Sequence, residues 1–327
     1  MIQVGKAAFR PKIADYFSKS GELIALVMIV IIASFTYKEF FTLTNISNIF
    51  RQVSMIGLMS LGMTLVIVSG GIDLSVGSIV ALSAIAASYF SQNILWAIAA
   101  PLGIGVLCGA VNGLIITRLS IVPFIATLAT QMAIRGIAYI LTGIKTVPVS
   151  SDAAAFTFIG QGYLGWLPVP VAIFLAASLV MVVVAGRTGF GRSIYAIGGN
   201  EDAARMIGLK VDRNKMLCYV IMGFFAALAG IILGSRLGAG QPVSGRGWEM
   251  NVIAAVAIGG TLLTGGVGSI AKTVVGVVIL GIINNIINLQ GTLNSYWQSI
   301  ITGAILLAII IIQNVTLRKR SLRGACE

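Results

Sequence analysis

The chain contains no histidine, which excludes histidine-ligated zinc and haem sites and any Ser-His-Asp triad, since each needs an imidazole. Charge is scarce as well. Asp, Glu, Lys and Arg make up 10% of the 327 residues, where a soluble domain carries about 25%. So few charges could not cover the surface of a water-soluble fold of this size. The acids are not clustered, so paired carboxylates for acid–base catalysis are missing, and no catalytic residue or metal ligand is expected. Cys108, Cys218 and Cys326 are the only cysteines. Their wide spacing fits neither a CxxC pair nor a disulfide framework.

What the chain has is apolar surface. The hydrophobic set reaches 57%, and 39 glycines add to it. That composition belongs to an integral membrane protein. A spanning helix needs about 20 mostly apolar residues, and ten stretches qualify: 23–41, 53–70, 73–91, 94–117, 120–142, 168–185, 216–238, 250–265, 269–289 and 296–313. The fold class expected is all-α and polytopic, with about ten transmembrane helices. Residues 1–22 form a cytoplasmic lead-in, 23–313 one transmembrane domain, and 314–327 a basic cytoplasmic tail. Two long apolar tracts, 53–91 and 250–289, are interrupted by Gly70-Gly71 and Gly265-Gly266. Each holds either two full crossings or a shorter re-entrant piece.

The net charge of +12 would suggest nucleic acid in a soluble protein, but here the bilayer accounts for it and no nucleic acid is expected. With ten crossings and a cytoplasmic N-terminus, sixteen of the 22 cations fall inside, the bias of the positive-inside rule. Both termini are then cytoplasmic. The first apolar run is too long for the core of a signal peptide and lacks a clear cleavage site.

Glycines recur at helical spacing. Gly105, Gly109 and Gly113 form one GxxxG stripe and Gly230, Gly234 and Gly238 another. Such stripes let helix backbones approach within the chain or at a dimer seam. GGIDLSVGSI at 70–79 is faintly echoed by GGVGSI at 265–270. Residues 266–273, GVGSIAKT, nearly spell a phosphate-binding G-x4-G-K-[ST] loop, but Ala271 replaces the second glycine and no βα unit surrounds it. The chain is not expected to bind ATP.

The longest cytoplasmic loop, 186–215, contains Gly199-Asn200-Glu201-Asp202-Ala203-Ala204-Arg205. Asn200 can cap a helix whose first turn carries two acids, and Gly208 suits a left-handed stop. A helix of about two turns is too short to stand alone in water, which fits docking into another protein.

At these residues the chain resembles a family. Asp202-Ala203-Ala204 with Gly208 four residues on resembles the EAA-x3-G motif of ATP-binding-cassette importer permeases. GRSIYAIGGNEDAARMIGL resembles the ribose-type monosaccharide permeases, as do MTLVIVSGGIDLSVGSIVALSA at 63–84, PFIATLAT at 123–130 and GWEMNVIAAVAIGGTLLTGGVGSI at 247–270. The resemblance implies a subunit of the bacterial cytoplasmic (inner) membrane. It pairs with a second copy or a related permease, with a cytosolic ATPase that holds the ATP and magnesium, and with a periplasmic or lipid-anchored sugar-binding protein. It makes 200–208 the coupling helix, with Asp202 in place of the family's Glu. The segment 291–298, GTLNSYWQ, departs from ribose permeases, so the sugar class is implied and ribose itself is not.

Polar residues in the spans are candidates for a solute path, because they are costly in lipid: Asp73 and Ser75, Asn112, Gln131, and Asn284 with Asn288 on one helix face. Amides can bind sugar hydroxyls and can equally bond neighbouring helices. Arg236, Arg246 and Glu249, with Arg135, are candidates for the outer surface that receives the binding protein. Two alternatives stay open: an ion-coupled secondary transporter using Asp73 and Arg135 as coupling charges, or a permease for a nucleoside or autoinducer-like solute.

Overall fold

In the computed structural model, residues 21–291 and 295–324 are described; the lead-in 1–20 and residues 292–294 and 325–327 lie outside them. The fold is helical. Its helices are α1 Gly21–Thr36, α2 Leu43–Val68, α3 Val76–Tyr89, α4 Ile94–Arg118, α5 Pro123–Thr142, α6 Ala154–Gln161, α7 Val169–Arg187, α8 Gly189–Gly199, α9 Glu201–Met206, α10 Val211–Leu237, α11 Trp248–Ile258, α12 Ile270–Leu289 and α13 Ser295–Gly324. Two antiparallel ladders of two residues each, β1 Val147–Pro148 with β4 Ala239–Gly240 and β2 Tyr163–Leu164 with β3 Leu167–Pro168, tie down loops.

Among the described residues, seven helices are long and apolar enough to cross a membrane: α2, α4, α5, α7, α10, α12, and Tyr296–Gln313 within α13. Three apolar helices are shorter: α1, α3 and α11. Of the two readings left open for 53–91 and 250–289, the helix lengths favour a shorter piece in each over two full crossings. α3 has 14 residues and α11 has 11, about 21 and 16 Å at 1.5 Å per residue, short of a hydrocarbon core of about 30 Å. The remainder of each tract is irregular backbone, 69–75 and 259–269. Irregular backbone is tolerated at such depth only where the protein supplies its hydrogen bonds. In 71–74 it does: Thr127 Oγ1 accepts from Leu74 N at 3.1 Å, and the Tyr219 hydroxyl donates to Ile72 O at 3.5 Å.

α10 is the central post, packed against α2, α3, α4 and α6. Gly105, Gly109 and Gly113 of α4 lie against Gly223, Tyr219 and Met216 of α10, and Gly230 and Gly234 lie against Val80 and Ala84 of α3. Both glycine stripes are thus occupied inside one chain, while Gly238 ends α10 in the left-handed conformation.

The loop read at 186–215 is mostly helix. Thr188 caps α8 by accepting from Gly191 N at 3.1 Å, α9 follows, and α10 begins at Val211 rather than near 216. α6 was not legible in the sequence. It is held by Ser235, whose hydroxyl donates to Phe156 O and accepts from Gly160 N, and by Arg51, which donates to the carbonyls of Gly160 and Gln161 at 2.8 Å each. The basic tail begins as a continuation of α13, whose helix runs on to Gly324.

Candidate functional site

α9 has six residues and is capped at both ends. Asn200 Oδ1 accepts from Ala203 N at 2.9 Å. At the other end Gly208 takes φ +84°, and Leu209 N donates to Ala204 O at 3.1 Å, closing the turn as a glycine stop does. Ala204 is buried, whereas Met206 and Ile207 are 88% and 74% exposed. A helix this short has no stability of its own, so its shape comes from its caps and from charge. Arg205 donates to Glu201 at 3.1 Å and to Asp212 at 2.6 Å, and Lys215 of α10 donates to Glu201. Asp202 and Ala203 face outward.

Partial burial lifts the Glu201 carboxyl, but the Lys215 ammonium and then the Arg205 guanidinium more than offset it and hold it below the usual glutamate range. The contribution of this clamp is complete above the ordinary value of about 4.3. It is lost only as pH falls through the lowered value. Amide-exchange protection across α9, corrected for intrinsic rates, should therefore be flat between roughly pH 6 and 8.

The helix before α9 ends on a junction. Gly198 lies against Val68 O and Gly266 N, and Gly266 N itself donates to Val68 O at 2.9 Å. Gly70 and Gly265 approach each other at the same place, and the Tyr195 hydroxyl of α8 donates to Gly268 O at 3.1 Å. The irregular segments 69–75 and 259–269 thus meet each other and the end of α8. The echo between GGIDLSVGSI and GGVGSI marks these two segments.

Asp73 and Ser75 occupy the first of them and are fully buried. Asp73 Oδ1 accepts from Ser75 N at 2.8 Å and Ser75 Oγ at 2.6 Å, and Asn112 Nδ2 donates to Ser75 Oγ at 2.8 Å. These three expected path residues form one cluster, with Asn112 Oδ1 unpartnered among the described residues. Arg135 is not with them. It donates to the carbonyls of Pro242 and Ser244 at 2.6 and 2.7 Å.

Gln131 donates to Glu249 at 3.3 Å. Glu249 is interior, 9% exposed, not at the surface where it was expected. Arg246 is exposed and Arg236 half-buried. Asn284 is buried with its Oδ1 unpartnered among the described residues. Asn288 instead accepts from Gln298 of α13 at 2.7 Å, and Asn285 exchanges amide hydrogen bonds with Asn45 of α2 at 3.1 and 2.7 Å. The structure therefore separates Asn284 from its two neighbours, which tie helices together.

Gly198, Tyr195, Met206 and Ile207 were not singled out in the sequence; only the doubled glycine before Asn200 hinted at a close approach. Lys272, in the near-P-loop, pairs with Glu22 at 2.9 Å. Among the described residues, no group of three Cys, Asp or Glu could hold a metal ion.

Residues 45–310 match the family model described as branched-chain amino acid transport system / permease component. The ribose import permease protein RbsC of Bacillus subtilis is 42% identical over 306 residues, 93% of this chain and 94% of that protein. The L-arabinose transport system permease protein AraH of Escherichia coli is 37% identical over 296 residues, 89% of each. The probable ABC transporter permease protein YphD of Escherichia coli is 33% identical over 317 residues, 94% of this chain and 93% of that protein. No solved structure matches the chain.

Proposed function

Because this chain belongs to the branched-chain amino acid transport system / permease component family, we propose that it is the membrane-spanning subunit of an ATP-binding-cassette importer for a monosaccharide of the pentose or hexose class. Support for the sugar class is the near-full-length similarity to permeases named for ribose and arabinose. The seven long apolar helices and the three shorter ones make ten membrane segments. The end carrying α9 is cytoplasmic, as are both termini, in keeping with the positive-inside bias. A cytosolic ATPase binds ATP and magnesium, a periplasmic or lipid-anchored binding protein delivers the sugar, and a second copy or related permease completes the path. Arg246, with Arg236, belongs to the outer surface that receives the binding protein.

The observation that carries the mechanism is the chain of contacts from the exposed tip of α9 to the interior. Met206 and Ile207 present apolar surface between two caps, fit for a groove in the ATPase. The short helix moves as a unit because Glu201, Arg205, Asp212 and Lys215 clamp it to the foot of α10. Movement of α8 and α9 then reaches 69–75 and 259–269 through Gly198. These segments are the feet of α3 and α11, so ATP-driven motion outside becomes rearrangement within. Asp73, Ser75 and Asn112 hold the first foot together beside the path.

Gly208→Pro tests this reading. Proline fixes φ near −65° and has no N–H, whereas Gly208 sits at φ +84° and its N–H donates to Arg205 O at 3.0 Å. Uptake and sugar-stimulated ATP hydrolysis should fall by at least about tenfold, as expected for loss of a helix stop needed for docking. The protein should still elute from a sizing column as the unaltered one does. Undiminished uptake and ATPase stimulation would count against the assignment.

A further inference from the structure

One cavity in the bundle is polar where the surrounding helices are not. It lies between α2, α11, α12 and α13, which pack on one another, and its wall carries Gln52, Asn251, Asn284, Gln298 and Trp248. Four amides and an indole converge there from four helices; the rest of the wall is aliphatic or glycine. Carboxamides both donate and accept, so they match hydroxyl groups that do the same, and an indole offers an apolar plate with a polar edge. Asn284 is 8% exposed and its Oδ1 has no partner among the described residues. A buried amide oxygen left without a donor costs free energy, and Asn284 is one of the residues that line the cavity.

We propose that this cavity is a station for a polyhydroxylated solute on its way through the subunit, with Asn284 and Asn251 receiving hydroxyls and Trp248 covering a C–H face of the ring. The proposal rests on the reading of the chain as a sugar permease subunit. The volume is about 70 Å³, room for a handful of waters at ~10–15 Å³ each on this measure and too narrow for a whole pentose. The station therefore requires a wider cavity than this conformation holds. α11 supplies the means to open it: Trp248 and Asn251 sit at its start, and its far end runs into 259–269, which abuts Gly198. The movement that reaches that segment from α9 widens the station.

The test uses the reconstituted complex with its ATPase and binding protein in proteoliposomes, with labelled D-ribose and L-arabinose as probes. In Asn284→Leu and Asn251→Leu, pentose taken up per ATP hydrolysed should fall about tenfold each, the scale of one lost hydrogen bond to a buried group. An unchanged ratio in both variants overturns the station and leaves the permease assignment standing. Failure of the unaltered complex to take up either pentose, or any of a panel of labelled hexoses, overturns both. Should the leucine variants not fold, Gln52→Cys in a chain with Cys108, Cys218 and Cys326 replaced by serine gives a second readout. Labelling by a small hydrophilic maleimide should be slowed several-fold by high concentrations of the transported pentose, and labelling indifferent to the sugar overturns the station.

Discussion

Replacing Gly198 by alanine is expected to reduce ATP-driven uptake to background while the protein is still made and inserted. The expectation follows from the space available. A Cβ on Gly198 would lie 1.7 Å from Val68 O and 2.5 Å from Gly266 N, and real Cβ atoms do not approach within 3.0 Å. Both obstacles are backbone. Val68 O belongs to the last turn of α2 and accepts the hydrogen bond that joins the end of that helix to the segment 259–269. No side chain can rotate away, so the methyl group must part α8 from the junction and stretch that bond. The overpacking cost, ~1–3 kcal/mol for a packed interior, falls on a junction through which, in the proposed mechanism, α9 reaches the feet of α3 and α11. Gly199 provides the control. A Cβ there meets nothing within 4 Å, so Gly199→Ala should transport close to normally. Sugar uptake in vesicles, normalised to inserted protein, measures both. Equal uptake by the two variants would show that the junction does not transmit the stroke.

The membrane class and most helix positions were legible because lipid imposes a simple rule: apolar residues must continue for about 20 positions. The cap of α9 at Asn200 and its stop at Gly208 were legible for a similar reason, since local backbone needs select these residues. What the sequence hid is what contacts decide. Hydropathy alone could not say that 73–91 and 250–265 contain half-length helices, because irregular backbone buried in protein is as apolar in composition as a helix. α8 escaped notice because it opens and closes on glycines, poor helix formers, and owes its place to packing under the bundle. The amides of α12 share a helix yet do different work: Asn285 faces Asn45, Asn288 faces Gln298, and Asn284 faces a cavity. Spacing placed Asn284 and Asn288 on one face; only the neighbours of that face tell a bond between helices from an unpartnered group. Glu249 looked like a surface charge for the same reason, its partner Gln131 being 118 residues away.

A graded glycine series on α4 and α10 should separate packing from transport, with Gly223 of α10 the severest position and Gly103 of α4 the mildest. A Cβ on Gly223 would lie 2.0 Å from Gly105 O, and one on Gly105 would lie 2.3 Å from Gly223 O. The two backbones are thus in mutual contact, and α4 with α10 forms the most extensive helix pair in the fold. Lipid gives helices no hydrophobic reason to associate, so close backbone packing is much of what holds them together. Gly223→Ala must push the pair apart along its length. Its cost should reach or exceed the ~1–3 kcal/mol of ordinary overpacking, seen as a lowered thermal midpoint in detergent and poor recovery, with a leucine at the same position unrecoverable. At Gly234 the added carbon would sit 3.1 Å from Ala84 O, a gap that a shift of a few tenths of an ångström relieves, so Gly234→Ala should lower the midpoint only slightly. At Gly103, where nothing lies within 4 Å, alanine should be neutral or slightly stabilising, since it favours helix over glycine by about 1 kcal/mol. An order other than Gly223, Gly234, Gly103 would mean that the α4–α10 contact does not set the stability of the bundle. If Gly223→Ala instead left stability intact but abolished uptake, the two helices would have to move against each other during transport rather than form its fixed post.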